Sequence, residues 1–490
     1  LIIDIALYRE IAVDAKAPMP RQATDTLHYL SLTEVSGLIR SGAVSPVEVT
    51  QALLERIDAL DGALKSYISV LPEHALASAR RAEAELAAGI WRGPLHGVPI
   101  AVKDLCNTTY APTGAGTYIH RDYIAPANAT VVDRLEAGGA VMLGKLTLTE
   151  GAMSGHHPLL KTPVNPWNKD AWTGASSSGS GVATAAGLCY GSLGSDTGGS
   201  IRLPSTSCGL VGVKPTWGRV SRAGVWALAD SLDHVGPMTR TVADAAAMLG
   251  VIAGHDPRDT TSLEASVPDY LAGLGGSIAG LRIGIAVAED YIFSKTSDPV
   301  AAMMRETIAT FVALGARLVP VAFPELDGLA DYWMKICCAE CAAAHKATFP
   351  SQRDAYGPAL KGYLDLGHKV TALEVAEAMQ YRLKLNGAVR RAMLDCDMLL
   401  VPGLPDPEAD ATFWDGTLSP EAIEGMVRFT AVFDMTGQPT LSINGGFDAR
   451  GLPMGFQLVG PHLSEAQLFK AGHAFQSVTD WHTRHPVLPN

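Results

Sequence analysis

Two neighbouring pieces of the chain decide its reading: Thr173-Gly-Ala-Ser-Ser-Ser-Gly-Ser-Gly181 and Gly194-Ser-Asp-Thr-Gly-Gly-Ser-Ile-Arg202-Leu-Pro204. Ser/Gly-rich sequence is ordinarily flexible linker. The surroundings argue against that here. An apolar helix pattern, Val182-Ala-Thr-Ala-Ala-Gly-Leu188, lies between the pieces, and Cys208-Gly-Leu-Val-Gly-Val-Lys-Pro215 follows them. Glycines at 198 and 199 free the backbone to aim successive N–H groups into one concavity. Such a nest can hold an oxyanion. A serine at its end, Ser200, is placed to attack a carbonyl, but serine needs a base. No histidine is near in sequence. The base is either one of the 14 histidines brought close by folding or Lys103, which ends the apolar run Val98-Pro-Ile-Ala-Val102. Burial drives a lysine toward neutrality, the form that can accept a proton.

Outward from this segment, apolar runs alternate with helical patterns. Strands are expected at 98–102, 140–143, 282–287, 317–321, 398–401 and 454–459. Helices are expected within 30–60 and at 73–89, 130–138, 181–188, 242–252, 298–313, 372–394 and 464–477. Ser45-Pro46 reads as an N-cap followed by a first-turn proline. The alternation predicts an α/β fold around a largely buried mixed sheet. The loop-rich stretch 404–420 reads as a mobile surface segment.

Composition narrows the function classes. The 490 residues are 47% hydrophobic and 18% charged, which excludes a disordered chain. A net charge of −12 disfavours direct nucleic-acid binding. Seven irregularly spaced cysteines read as reduced thiols of a cytoplasmic protein, and Cys338-Ala-Glu-Cys341 as helix packing. The apolar start Leu1–Leu7 is short and broken by Asp4, unlike a signal peptide. No apolar run is long enough for a membrane helix. Gly139-Ala-Val-Met-Leu-Gly144-Lys145 fits GxxxxGK, but Leu146 stands where a phosphate-binding loop needs Ser or Thr. Neither GxSxG nor HExxH occurs, and His156-His157 is an isolated pair.

With these segments in order, the chain resembles the amidase signature family. The matching residues are Gly97-Val-Pro-Ile-Ala-Val-Lys103-Asp104, Gly144-Lys145, Gly174-Ala-Ser-Ser-Ser-Gly179, Gly194–Arg202, Cys208–Pro215 and Gly455-Phe-Gln-Leu-Val-Gly460. The resemblance implies a single large α/β/α domain with a central mixed sheet over residues 30–485, its signature core at 97–220, after an N-terminal extension, 1–29. It also implies a Ser–cis-Ser–Lys triad, with Ser200 as nucleophile, Ser176 as the bridging serine in a cis peptide and Lys103 as base. The N–H groups of Thr197, Gly198, Gly199 and Ser200 would hold the oxyanion. Ser177, Asp196 and Arg202 would brace the loop. The reaction implied is hydrolysis of an amide C–N bond through an acyl-enzyme, with neither metal nor organic cofactor.

The segment 209–256 looks especially like the glutamine-hydrolysing component of tRNA-dependent amidotransferases, the A-type chain, which grips glutamine with an arginine and an aspartate. Approximate alignment puts those positions near Tyr363 and Val427, neither of which can pair with a zwitterion. Lys361, Asp365, Arg428 and Asp434 lie close enough for a shift of register to restore the pair. The reading therefore favours a stand-alone hydrolase of a small aryl or alkyl amide, with chemistry that extends to esters and carbamates. The alternative is a glutamine-hydrolysing component of an amidotransferase. Met153, Trp172, Tyr332, Trp333, Tyr363, Phe429 and Phe433 are the candidate pocket residues. No nucleic acid or membrane is expected as a direct partner, and the sequence is compatible with a homo-oligomer.

Overall fold

Eleven strands form one mixed sheet in the computed structural model, which describes residues 27–286, 292–293, 295–407, 410–412 and 419–488. They are β1 (Tyr67–Val70), β2 (Pro99–Lys103), β3 (Val141–Leu146), β4 (Gly191–Asp196), β5 (Val211–Lys214), β6 (His234–Thr239), β7 (Arg282–Ala286), β8 (Arg317–Val321), β9 (Met398–Pro402), β10 (Thr440–Phe447) and β11 (Pro453–Val459). Their order is β1-β3-β2-β4-β6-β5-β10-β11-β9-β7-β8. β2 runs parallel to β3 and β4, and β7 parallel to β8 and β9, whereas the strands from β4 through β6, β5, β10 and β11 to β9 pair antiparallel. Most of the expected 1–29 extension, Val287, and 408–409 and 413–418 of the expected mobile segment lie outside the described residues.

Every residue of β2, β4, β6, β9 and β11 is buried. Strands covered on both faces usually read as apolar runs, and β2, β9 and β11 do. β4 is different. A Cβ on Gly191 would lie 2.5 Å from Met248 Sδ, and one on Gly194 would lie 2.9 Å from Ser177 Oγ. Close packing, not flexibility, demands these glycines. The helix Ser178–Ala185 is tied to the strand by hydroxyls: Ser180 Oγ donates to Leu193 O at 2.9 Å, and Thr184 Oγ1 and Ser192 Oγ are 2.8 Å apart. At the other expected helix start, Ser45 accepts from Val47 N at 3.0 Å with Pro46 in the first turn. No helix among the described residues is long and apolar enough to cross a membrane.

Candidate active site

β2, third from one edge of the sheet, ends on Lys103, which is fully buried. Its ammonium donates to Ser176 Oγ at 2.7 Å, Ser195 Oγ at 2.8 Å and Ser177 Oγ at 2.9 Å. The partners are hydroxyls, which do little to hold a charge. Burial pushes the lysine down to about 7, against the opposing charges of Asp196 and Asp233. Near neutral pH Lys103 is therefore a competent proton acceptor. Ser176 follows a cis peptide bond, Ala175–Ser176. The turn before it uses Gly174 at φ +77°, where a Cβ would lie 2.2 Å from Pro204 Cα.

The loop after β4 is held by Asp196. Its Oδ1 accepts from Gly199 N at 2.6 Å and its Oδ2 from Ile201 N at 3.0 Å. Arg202 grips the same carboxylate through Nε at 3.0 Å and Nη2 at 2.9 Å. Burial alone raises the Asp196 pKa, but the guanidinium outweighs it and holds the carboxyl well below the usual carboxylate range. Arg202 also donates to Asp434 Oδ2 at 2.6 Å, Thr430 O at 3.1 Å and Gln457 Oε1 at 3.2 Å. Thr197 Oγ1 donates to Asp233 Oδ1 at 2.6 Å. Burial pushes Asp233 up to about 6. Ser177 N donates to Ser200 O at 3.3 Å, linking the two serine segments. Of the four N–H groups expected to hold the oxyanion, that of Gly199 donates to Asp196 Oδ1 in this structure. The contacts from Asp233, Thr430, Asp434 and Gln457 have no sequence signature, because they join the loop from distant elements.

The motifs dismissed on sequence grounds have structural places. Lys145 lies within β3 and pairs with Asp104 at 3.0 Å. His156 is bonded to Ser178 Oγ at 3.0 Å, and burial lowers its pKa to about 4. Among the described residues no cluster could hold a metal ion.

Residues 48–469 match the family model described as Amidase. The chain belongs to the amidase family. AmiD of Mycobacterium tuberculosis, an amidase by name, is 46% identical over 477 residues, covering 97% of this chain and 99% of its own. The A-type chain of the glutamyl-tRNA(Gln) amidotransferase of Methylococcus capsulatus is 38% identical, covering 94% and 99%. The crystal structure of a peptide amidase with the competitive inhibitor chymostatin superimposes with TM-score 0.79 at 28% identity, covering 94% of this chain and 99% of that one. The protein is accordingly a hydrolase acting on amide C–N bonds.

Beside the loop, this amidase has a narrow cleft of about 40 Å³, with Thr197, Gly198 and Ser200 on one wall. Met153, Trp333 and Tyr363 line it, together with Leu203, Ile423 and Val427. The other expected pocket residues lie elsewhere. Trp172 packs with Ala175 and Leu203 in a small cluster beside the cleft. Tyr332 stacks on Tyr381 at 4.5 Å. Phe429 and Phe433 are wholly buried in the core. Sequence pattern cannot separate an aromatic that lines a cavity from one that fills a core.

Proposed function

We propose that Ser200, Ser176 and Lys103 form the catalytic relay of this amidase. Neutral Lys103 takes a proton from Ser176 as Ser176 takes that of Ser200. Ser200 Oγ then attacks the amide carbonyl, and the N–H groups of Thr197, Gly198 and Ser200 stabilise the oxyanion. The proton returns through Ser176 to the leaving nitrogen, without which an amide does not part. Water hydrolyses the acyl-enzyme by the same relay. The carrying observation is the buried Lys103 Nζ at 2.7 Å from the hydroxyl of the cis serine. Residues 30–485 work as one domain in this reading, supported by the single sheet that takes strands from Tyr67 to Val459.

The substrate is a small aryl or alkyl amide, with esters and carbamates open to the same chemistry. Among the described residues no charged side chain lines the cleft. Tyr363 and Val427, the positions aligned with the glutamine clamp, both line it. The charged alternatives are engaged elsewhere: Lys361 with Asp354 at 3.9 Å, Asp365 with Arg353, Arg428 with Glu424 and Asp434 with Arg202. Peptide mapping after fluorophosphonate treatment tests the relay, with a single adduct on Ser200 that is lost in Lys103→Ala. Release of arylamine from an anilide, without release of ammonia from L-glutamine, tests the substrate. Glutamine hydrolysis would instead support a role within an amidotransferase, the reading that the 38% identity to the Methylococcus capsulatus chain favours.

A further inference from the structure

The nucleophile loop presents three successive peptide groups, and each carbonyl has a donor. Thr197 O accepts from Trp333 Nε1 at 2.9 Å. Gly198 O accepts from Thr430 Oγ1 at 2.6 Å, and Gly199 O accepts from Leu203 N at 2.7 Å. In a trans peptide the C=O and the following N–H point in opposite directions. The cis bonds among the described residues are Ala175–Ser176 and Phe349–Pro350, so the 197–198 peptide is trans. Whatever fixes Thr197 O therefore also fixes the direction of Gly198 N–H. The equivalent reasoning for Gly198 O leads to Gly199 N–H, which is already spent on Asp196.

The Trp333 indole constrains that peptide twice. Besides donating to its oxygen, it lies against Gly198, where a Cβ would meet Cζ2 at 2.3 Å and Cε2 at 2.8 Å. The ring is nearly buried and sits on the helix Leu329–Ala344, more than a hundred residues beyond the loop. It also forms part of the cleft wall.

We propose that Trp333 is a positioning residue for catalysis: by holding the 197–198 peptide it aims Gly198 N–H at the oxyanion. This rests on the reading of Ser200 as nucleophile. The N–H contributes only when charge develops on the carbonyl oxygen, so its loss falls on the transition state rather than on substrate binding. Removing a direct oxyanion donor typically costs about 10²–10³ in rate. Releasing the group that orients one costs less, about tenfold.

Trp333→Phe keeps an aromatic ring in the cleft and removes the donor. The expected result with an anilide substrate is kcat down about tenfold and KM within about twofold of wild type. The second-order rate of fluorophosphonate labelling should fall in the same proportion. The affinity of the matching N-alkylaniline, which lacks the carbonyl and forms no oxyanion, should stay unchanged, as should the melting temperature. Wild-type kcat and labelling rate in Trp333→Phe would overturn the proposal. So would a loss confined to the number of titratable sites, with kcat per site unchanged and a lowered melting temperature, which marks a purely structural role. An adduct on a residue other than Ser200 in the wild type would sink the nucleophile assignment itself, separately from either outcome.

Discussion

Lys103 gives the sharpest quantitative expectation, because in the proposed relay its titration governs rate as well as stability. Burial brings its pKa down to about 7, and only the neutral amine can start the relay. Serine labelling by a fluorophosphonate should therefore be flat above pH 8 and fall below 7. A one-proton titration leaves about a tenth of the plateau rate at pH 6 and about a hundredth at pH 5. The same shift predicts a stability slope. Between about 7 and the ~10.4 of an exposed lysine, the unfolded chain carries a proton that folded Lys103 lacks. The cost of burying this group is therefore greatest below about pH 7, and it fades as pH rises toward the unfolded value. Stability rises by about 1.4 kcal/mol per pH unit across that window. Lys214 is also buried and pushed down to about 7, so the clean quantity is the difference between wild type and Lys103→Met. That difference in unfolding free energy, from urea titrations, should move in favour of wild type by about 3 kcal/mol from pH 7.5 to 9.5. A pH-independent difference, or labelling that persists unchanged at pH 5, would mean that the folded protein keeps Lys103 in one protonation state throughout. The relay as described would then be wrong.

Gly198→Ala should fold but lose at least about tenfold in kcat, since its Cβ would lie 2.3 Å from Trp333 Cζ2 and must displace the indole; circular dichroism with steady-state kinetics checks both halves. Asp196→Asn removes one of the two buried carboxylate partners of Arg202 and should cost about 3 kcal/mol in urea unfolding, with loss of Ser200 labelling. All seven cysteines are buried, and burial pushes thiols such as Cys106 and Cys338 up to about 12. Iodoacetamide at pH 7.5 should leave the native chain unmodified and alkylate all seven sites in urea, read by intact mass.

The parts of this fold that are legible in the sequence are those whose local chemistry matches their burial. Met398–Pro402 and Pro453–Val459 are apolar strands in a buried sheet, and the sequence pattern places both nearly to the residue. It does not reveal β4 or β6. β6, His234-Val-Gly-Pro-Met-Thr239, contains Pro237, which normally argues against a central strand. The register resolves the conflict. β5 pairs with β6 only at Thr239 and Met238, so Pro237 lies past the end of that ladder. The site divides in a similar way. Lys103, Ser176 and Ser200 stand in motifs whose residue types announce a chemistry. Trp333, Thr430, Asp434 and Gln457 meet the loop across 136, 232, 232 and 255 residues of chain from their respective partners Thr197, Gly198, Arg202 and Arg202. A hydrogen bond at such separation leaves no local trace in one sequence, and an ordinary Trp or Thr gives no sign of it.

Those long-range contacts bear on the order in which the protein is made. A nascent chain emerging from the ribosome exposes Lys103, Ser176 and Ser200 long before the residues that clasp the loop around them. Until Thr430, Asp434 and Gln457 have been synthesised, Gly198 O lacks its hydroxyl donor and Arg202 lacks three of its acceptors. Domains generally fold as units, and here the last strand to be added, β11, brings Gln457 to that arginine. Closure of the loop is thus tied to synthesis of the chain through Gln457. A product that stopped short of Thr430 would carry Ser176 and Ser200 without these clasps.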